Sequence, residues 1–477
     1  MLFNSLEFLF FFPVVTTLYF ALPHAARWSL LLIASCVFYM VFIPKYVLIL
    51  FLTITIDYAA GIFIERTPDR RLKRVYLVVS LVATVLVLAV FKYFNFLNEN
   101  VARIAQLFHW NYGVENLKII LPIGLSFHTF QSMSYVIEVY RGNQKAEKHY
   151  GIYALYVMFY PQLVAGPIER PQNLLPQLRE VHTFDYTRVT NGLKLMAFGF
   201  FKKVVIADSL ATVTAPVFLS PTDYAGHPLI IAILLFTFQI FCDFSGYSDI
   251  AIGSAQVMGF KLMENFNRPY ASASIAEYWR RWHISLSTWF KDYVYIPLGG
   301  SRVSRPRLYF NLFVTFLISG LWHGANWTYV IWGAMNGLYI ILSNITEPVR
   351  NAIADRIGLS SFPRLQRAWR VVFTFCLISF GWIFFCARSM SDSLYMLTHL
   401  FDGFIGKSAY THLVVPGPTL LFILVLELVM YVHRDRGTRA LYAHKPAVVR
   451  WSFYYAMVLC ILIFGSYTEQ KFIYFQF

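Results

Sequence analysis

The sequence runs to 477 residues, of which 58% are apolar, 18% aromatic and only 14% charged. A soluble domain carries nearer a quarter of its residues charged, so this composition excludes a water-soluble globular protein. The net charge of +15 argues no better for a nucleic-acid partner, because the basic residues fall in short clusters between apolar runs, the pattern of cytoplasmic loops.

Apolar segments near residues 6–22, 28–43, 46–64, 75–94, 190–207, 228–242, 308–322, 327–345, 371–386, 417–432 and 451–465 predict an all-α polytopic membrane protein. With shorter runs included, roughly eleven to fourteen transmembrane or re-entrant helices are expected. The first run carries Glu7 and no basic stretch before it, so it is expected to stay as the first helix rather than leave as a signal peptide. No repeat and no long linker interrupts the chain, so one membrane-embedded domain over residues 1–477 is expected. Cys36, Cys242, Cys376, Cys386 and Cys460 stand singly without metal-ligand spacing. They read as inert thiols, and no metal is expected.

Orientation can be read from the loops. ERTPDRRLKR, residues 65–74, holds five basic residues and is predicted cytoplasmic, which places the N-terminus outside after three spans. Residues 350–370 and 433–450 are also Arg-rich, whereas 387–415 holds only Arg388 and Lys407. One further span then carries the C-terminal FIYFQF to the periplasmic side.

The central third has a different texture. LPIGLSFHTFQSMSYV (121–136) and YPQLVAGPIERP (160–171) mix Pro, Gly and polar residues into apolar sequence. Irregular backbone at membrane depth needs protein or a cavity around it, so broken or re-entrant segments about a chamber are expected. FCDFSGYSDIAIG adds Asp243 and Asp249. Cation coupling or acid–base chemistry is one reading, and helix capping with arginine pairing is the more ordinary one.

Two histidines stand out. His283 lies in EYWRRWHISLSTWF, where Ile275, Trp279, Trp282, Leu286 and Trp289 recur at helical spacing behind a Ser274–Glu277 capping box. The residues alone read as an amphipathic helix at the membrane surface, with Arg280 and Arg281 on or beside its polar side. His323, in LISGLWHGANW, ends a span whose cytoplasmic start is marked by Arg302, Arg305 and Arg307. An ionisable group inside the hydrocarbon is costly and is a functional candidate by default. Burial there should keep its imidazole neutral and able to act as a base. The competing reading is packing, since Gly320 and Gly324 allow close helix approach. P-loop, dinucleotide and nucleophile-elbow motifs are absent.

YWRRWHISLSTWFKDYVYIPLGG followed by GLWHGANWTYVIWGAMNG resembles the membrane-bound O-acyltransferase (MBOAT) family. MLFNSLEFLFFFPVV, FYPQLVAGPIERP and FIYFQF are similar to its alginate O-acetyltransferase branch, which also includes peptidoglycan O-acetylation proteins, and the likeness covers essentially the whole chain. The resemblance implies a helical membrane fold around a tunnel open to a cytoplasmic acyl donor. It puts the catalytic histidine at His323 and a second, neighbouring one at His283. The donor would be acetyl-CoA, with Arg280 and Arg281 near its phosphates.

The terminal FIYFQF also resembles the F-x-Y-x-x-F ending of related extracytoplasmic acylation systems, and that resemblance implies that Tyr474 would carry acetyl, with Phe472, Phe475 and Phe477 seating the tail; an aromatic belt is the plainer reading of the same residues. The resemblance implies O-acetylation of a cell-surface polysaccharide from the bacterial cytoplasmic membrane, with a periplasmic SGNH-type transferase as partner. The alternative is a transporter or flippase for an acyl carrier or lipid-linked sugar, which charged residues around a cavity would also suit.

Overall fold

Each of the eleven apolar segments lies on a helix in the computed structural model, which describes residues 1–402, 417–432, 446–466 and 473; no strand occurs among the described residues. Among the described residues, five helices are long and apolar enough to cross a membrane: Pro44–Arg66, Arg70–Leu107, His227–Met258, Pro363–Cys386 and Ala447–Phe464. Leu6–Ala21, His24–Met40 and Gly417–Val432 are equally apolar but shorter. Arg305–His323 and Trp327–Arg356 are long enough, and their lower apolarity reflects polar residues such as Asn311, Thr315 and Asn336, all buried inside the protein. Val75, Val78, Val79, Val82 and Leu86 stand exposed along Arg70–Leu88, an apolar face suited to hydrocarbon. The protein is an all-α, multi-pass membrane protein.

The chain divides into two units, one of Met1–Met196 with Tyr247–Met263, the other of Ala197–Gly246 with Glu264–Phe477. In the first, buried polar side chains pin helices together. Asp57 on Val47–Arg66 accepts from Ser80 and, at 3.1 Å, from Thr84 on Arg70–Leu88. Thr53, one turn earlier, meets His128 Nε2 at 2.6 Å.

His128 belongs to LPIGLSFHTFQSMSYV, and here the expectation of irregular backbone is corrected for most of the stretch. Leu125–Arg141 is a regular helix, and only the lead-in to it is irregular. Some of its polar residues are met by neighbouring elements, as in the 2.6 Å bond from Gln131 Nε2 to the carbonyl of Tyr156. Gly124 starts it at φ 77°, and a Cβ there would stand 2.7 Å from the Leu163 carbonyl oxygen. Both the left-handed backbone and the close approach call for glycine.

YPQLVAGPIERP does run irregularly after the short Tyr160–Leu163 helix, buried in protein at every position but half-buried Arg170. Gln162 donates to the Tyr156 carbonyl at 2.8 Å, and Tyr156 OH donates to the Glu169 carbonyl at 3.1 Å. Buried Glu169 in turn accepts from the Met263 amide and from Asn173. The backbone can leave the helix here because side chains replace the ladder it gives up.

Candidate active site

Both histidines lie in the second unit, where local chain geometry places each. His323 is the last residue of Arg305–His323, about 24 Å along the helix from Arg307 at 1.5 Å per residue. The chain then leaves the helix at Gly324 and restarts at Trp327, capped by the Asn326 side chain, which accepts from the Thr328 amide at 3.1 Å. Arg305–His323 and Trp327–Arg356 come together where Gly320 faces Gly333. A Cβ on Gly320 would stand 2.3 Å from the Tyr329 carbonyl oxygen, so a larger residue would push the helices apart. The glycine packing expected of this motif is therefore present at Gly320, and it serves to hold His323 against the next helix. Gly324 instead meets the ring of Tyr329.

His323 is buried among aromatic rings, with centroids at 5.0 Å from Trp322, 5.0 Å from Trp332 and 5.2 Å from Phe385. His283, also buried, lies edge-on to Phe244 at 4.6 Å and 6.3 Å from Trp322. Both imidazoles thus neighbour one indole, Trp322. Trp382 and Trp282 extend the same aromatic wall, 5.3 Å apart. In the segment between spans, burial pushes His283 down to about 3, so its ring is neutral at physiological pH.

The expected surface helix around His283 is corrected. Ile275–Trp279 and Ile284–Phe290 are separate short helices, broken over residues 280–283. Of the expected apolar stripe, Ile275, Trp282, Leu286 and Trp289 are buried within protein, and half-buried Trp279 packs on Phe316 and Trp332. The cause lies in residues 265–267. The Arg281 carbonyl accepts from the Asn267 amide at 2.9 Å, and the Ile284 amide donates to the Asn265 carbonyl at 3.0 Å. In an unbroken helix those groups would bond to Ser285 and Arg280. Asn265 Oδ1 takes over the Ser285 amide at 3.2 Å and its hydroxyl at 2.7 Å.

His283 is left at φ 42°, ψ 56°, a left-handed conformation. The capping signal does hold, since Ser274 accepts from the Glu277 amide at 3.1 Å. Glu277 reaches back to the Ala273 amide at 2.8 Å, one residue earlier than the motif suggests. Asn265→Ala would remove the Oδ1 acceptor that both Ser285 groups use. It should cost about 1–3 kcal/mol, visible as a lower unfolding midpoint in nanodiscs. An unchanged midpoint would show that the side chain of Asn265 contributes nothing to holding the break.

Arg280 is exposed, and Arg281 is half-buried and bridged to Glu277 at 2.7 Å; both sit in the turn that leads into His283. Tyr474 lies outside the described residues, as do Phe472, Phe475 and Phe477. Ile473 is described: it is buried, and its amide donates to Asp243 Oδ2 at 2.8 Å. Asp243 and Asp249 lie inside the His227–Met258 helix rather than at its end, and Asp243 pairs with Lys203 rather than an arginine. Sequence reasoning passed over Lys203, although two adjacent lysines inside an apolar run were a visible signal. Nothing local pointed to Asn265. Among the described residues no group of three or more His, Cys, Asp or Glu could hold a metal.

The family model for MBOAT, membrane-bound O-acyltransferases, matches residues 149–390, a range that contains both histidines. The chain belongs to this family. Among curated relatives, a probable alginate O-acetylase AlgI of Pseudomonas aeruginosa is 42% identical over 406 residues, covering 84% of this chain and 75% of that protein. A probable alginate O-acetylase AlgI of Pseudomonas putida is 36% identical over 507 residues and aligns across 100% of both chains. A peptidoglycan O-acetyltransferase of Helicobacter pylori is 35% identical over 429 residues, covering 83% of this chain and 79% of its own length. As an MBOAT protein, the chain is a membrane acyltransferase, and its chemistry needs an acyl donor. The reading as a transporter without bond chemistry is thereby set aside.

Proposed function

We propose that this protein is an O-acetyltransferase of the bacterial cytoplasmic membrane that takes acetyl from cytoplasmic acetyl-CoA and delivers it outside for O-acetylation of a cell-surface polysaccharide. The acceptor class, alginate-like or peptidoglycan, comes from the curated relatives. The single observation that carries the reading is the pair of buried imidazoles, His283 and His323, both within reach of Trp322 in a wall of aromatic rings. Such a wall excludes water, which keeps a thioester from hydrolysis.

His323 acts as general base, and His283 orients or assists. Tyr474 is the first acceptor: its phenolic oxygen attacks the thioester carbonyl, its proton passes to His323, the C–S bond breaks, and the coenzyme A sulfur leaves as the thiol once protonated. The resulting aryl acetate then passes to the polysaccharide through a periplasmic SGNH-type partner. The chain works as one membrane domain with both termini outside, the basic loops facing the donor.

Arg280 supports the donor's phosphates more readily than Arg281, whose guanidinium is shared with Glu277. Arg280→Ala should therefore raise the KM for acetyl-CoA, with a smaller rise for Arg281→Ala. An unchanged KM in both variants would remove them from the donor site. The test of the whole reading uses purified protein in nanodiscs with radiolabelled acetyl-CoA. Label should become covalently fixed to the chain and map by mass spectrometry to Tyr474, and Tyr474→Phe should stay unlabelled. Full polymer acetylation in cells carrying Tyr474→Phe would defeat the acyl-tyrosine step.

A further inference from the structure

Lys203 is buried in the second unit between two carboxylates, 2.8 Å from Asp208 Oδ1 and 2.6 Å from Asp243 Oδ1, with all three side chains at most 5% exposed. It lies on Phe201–Ala207, a stretch of π-helix of the kind often found at functional positions. One ammonium is shared by two buried carboxyl groups, which leaves carboxyl oxygens that call for further donors. One of them is a main-chain amide from far along the sequence, that of Ile473, which donates to Asp243 Oδ2 at 2.8 Å. The same π-helical stretch takes a second bond from this end of the chain. The Ser466 amide, just past the Ala447–Phe464 helix, donates to the Val204 carbonyl at 2.9 Å. The next residue after Asp243 on its helix is Phe244, whose ring packs at 4.6 Å on His283.

We infer that Asp243, charged and oriented by Lys203, is a positioning residue that clamps the C-terminal segment by its main chain at Ile473. This fixes the point from which the next residue, Tyr474, is presented. The presentation part rests on the acyl-tyrosine reading, whereas the clamp itself does not. Recognition through a backbone N–H makes the clamp indifferent to the side chain at 473 beyond its apolar fit.

Ile473→Pro deletes the donated N–H while leaving Lys203, Asp208 and Asp243 intact, so it tests the clamp without disturbing the ion cluster. In nanodiscs, carboxypeptidase A should release the terminal Phe477 roughly ten- to a hundredfold faster from Ile473→Pro than from the unsubstituted protein, the equivalent of one lost bond to a charged acceptor. Ile473→Val, which keeps the N–H, should remain protected. Acetyl loading of the chain in a single turnover should slow by a similar factor in Ile473→Pro, with the KM for acetyl-CoA unchanged. Equal release rates for the proline variant and the parent would overturn the clamp. Faster release with undiminished loading would keep the clamp and overturn its positioning role. Should Tyr474→Phe prove fully active in cells, the acyl-tyrosine reading falls, and the release rates still decide the clamp.

Discussion

His323→Ala should lower acetyl transfer by about 10²–10⁴-fold, the usual contribution of a positioned general base. The loss should appear in kcat rather than in the KM for the donor, because in the proposed mechanism the imidazole takes up a proton only as the thioester is attacked. The ring also fills space against Trp332 and Phe385, so alanine opens a cavity and a modest stability loss accompanies it. His323→Gln fills most of that space without a base of comparable strength. It should keep the parent's unfolding midpoint and lose activity nearly as far. Retention of more than about a tenth of parental activity in the glutamine variant would be too small a loss for a general base.

Lys203→Met should be among the most destabilising single substitutions in the second unit, at about 3–5 kcal/mol, because it leaves two carboxylates buried together without their shared cation. Salt should do little to restore it, since a buried cluster is poorly screened. Neutralising the whole cluster with Lys203→Met, Asp208→Asn and Asp243→Asn should recover most of the lost stability, as uncharged replacements of buried ion pairs commonly do. The measurement is unfolding in nanodiscs at two ionic strengths. If the triple variant were no more stable than the single one, the cluster's charge would not be what holds this region together.

The parts of the protein that the sequence made legible share one property: their cause is local. Long apolar runs such as residues 75–91 form helices because lipid leaves the backbone no other partner. His323 could be singled out because an ionisable residue at the end of an apolar span is costly. The break at residues 280–283 was hidden for the opposite reason. Local periodicity favours a continuous helix there, and the hydrogen bonds that interrupt it come from Asn265 and Asn267, well upstream. LPIGLSFHTFQSMSYV misled through composition. Its polar residues suggested loose backbone, yet His128 and Gln131 find partners on neighbouring elements and the helix stays regular. The bond between Ile473 and Asp243 joins residues 230 positions apart, and no window along the sequence contains both.

The left-handed backbone at His283 constrains which replacements can be informative. At φ 42° most side chains crowd the neighbouring carbonyl, and only glycine, asparagine and aspartate share histidine's relative tolerance. A saturation library at this codon would therefore report two filters at once, one for conformation and one for the imidazole. Glycine and asparagine pass the first and fail the second, so their behaviour isolates the ring's contribution. Valine and isoleucine fail both, and their loss of activity would say nothing about chemistry. Asparagine is the reference against which every other substitution at 283 should be read.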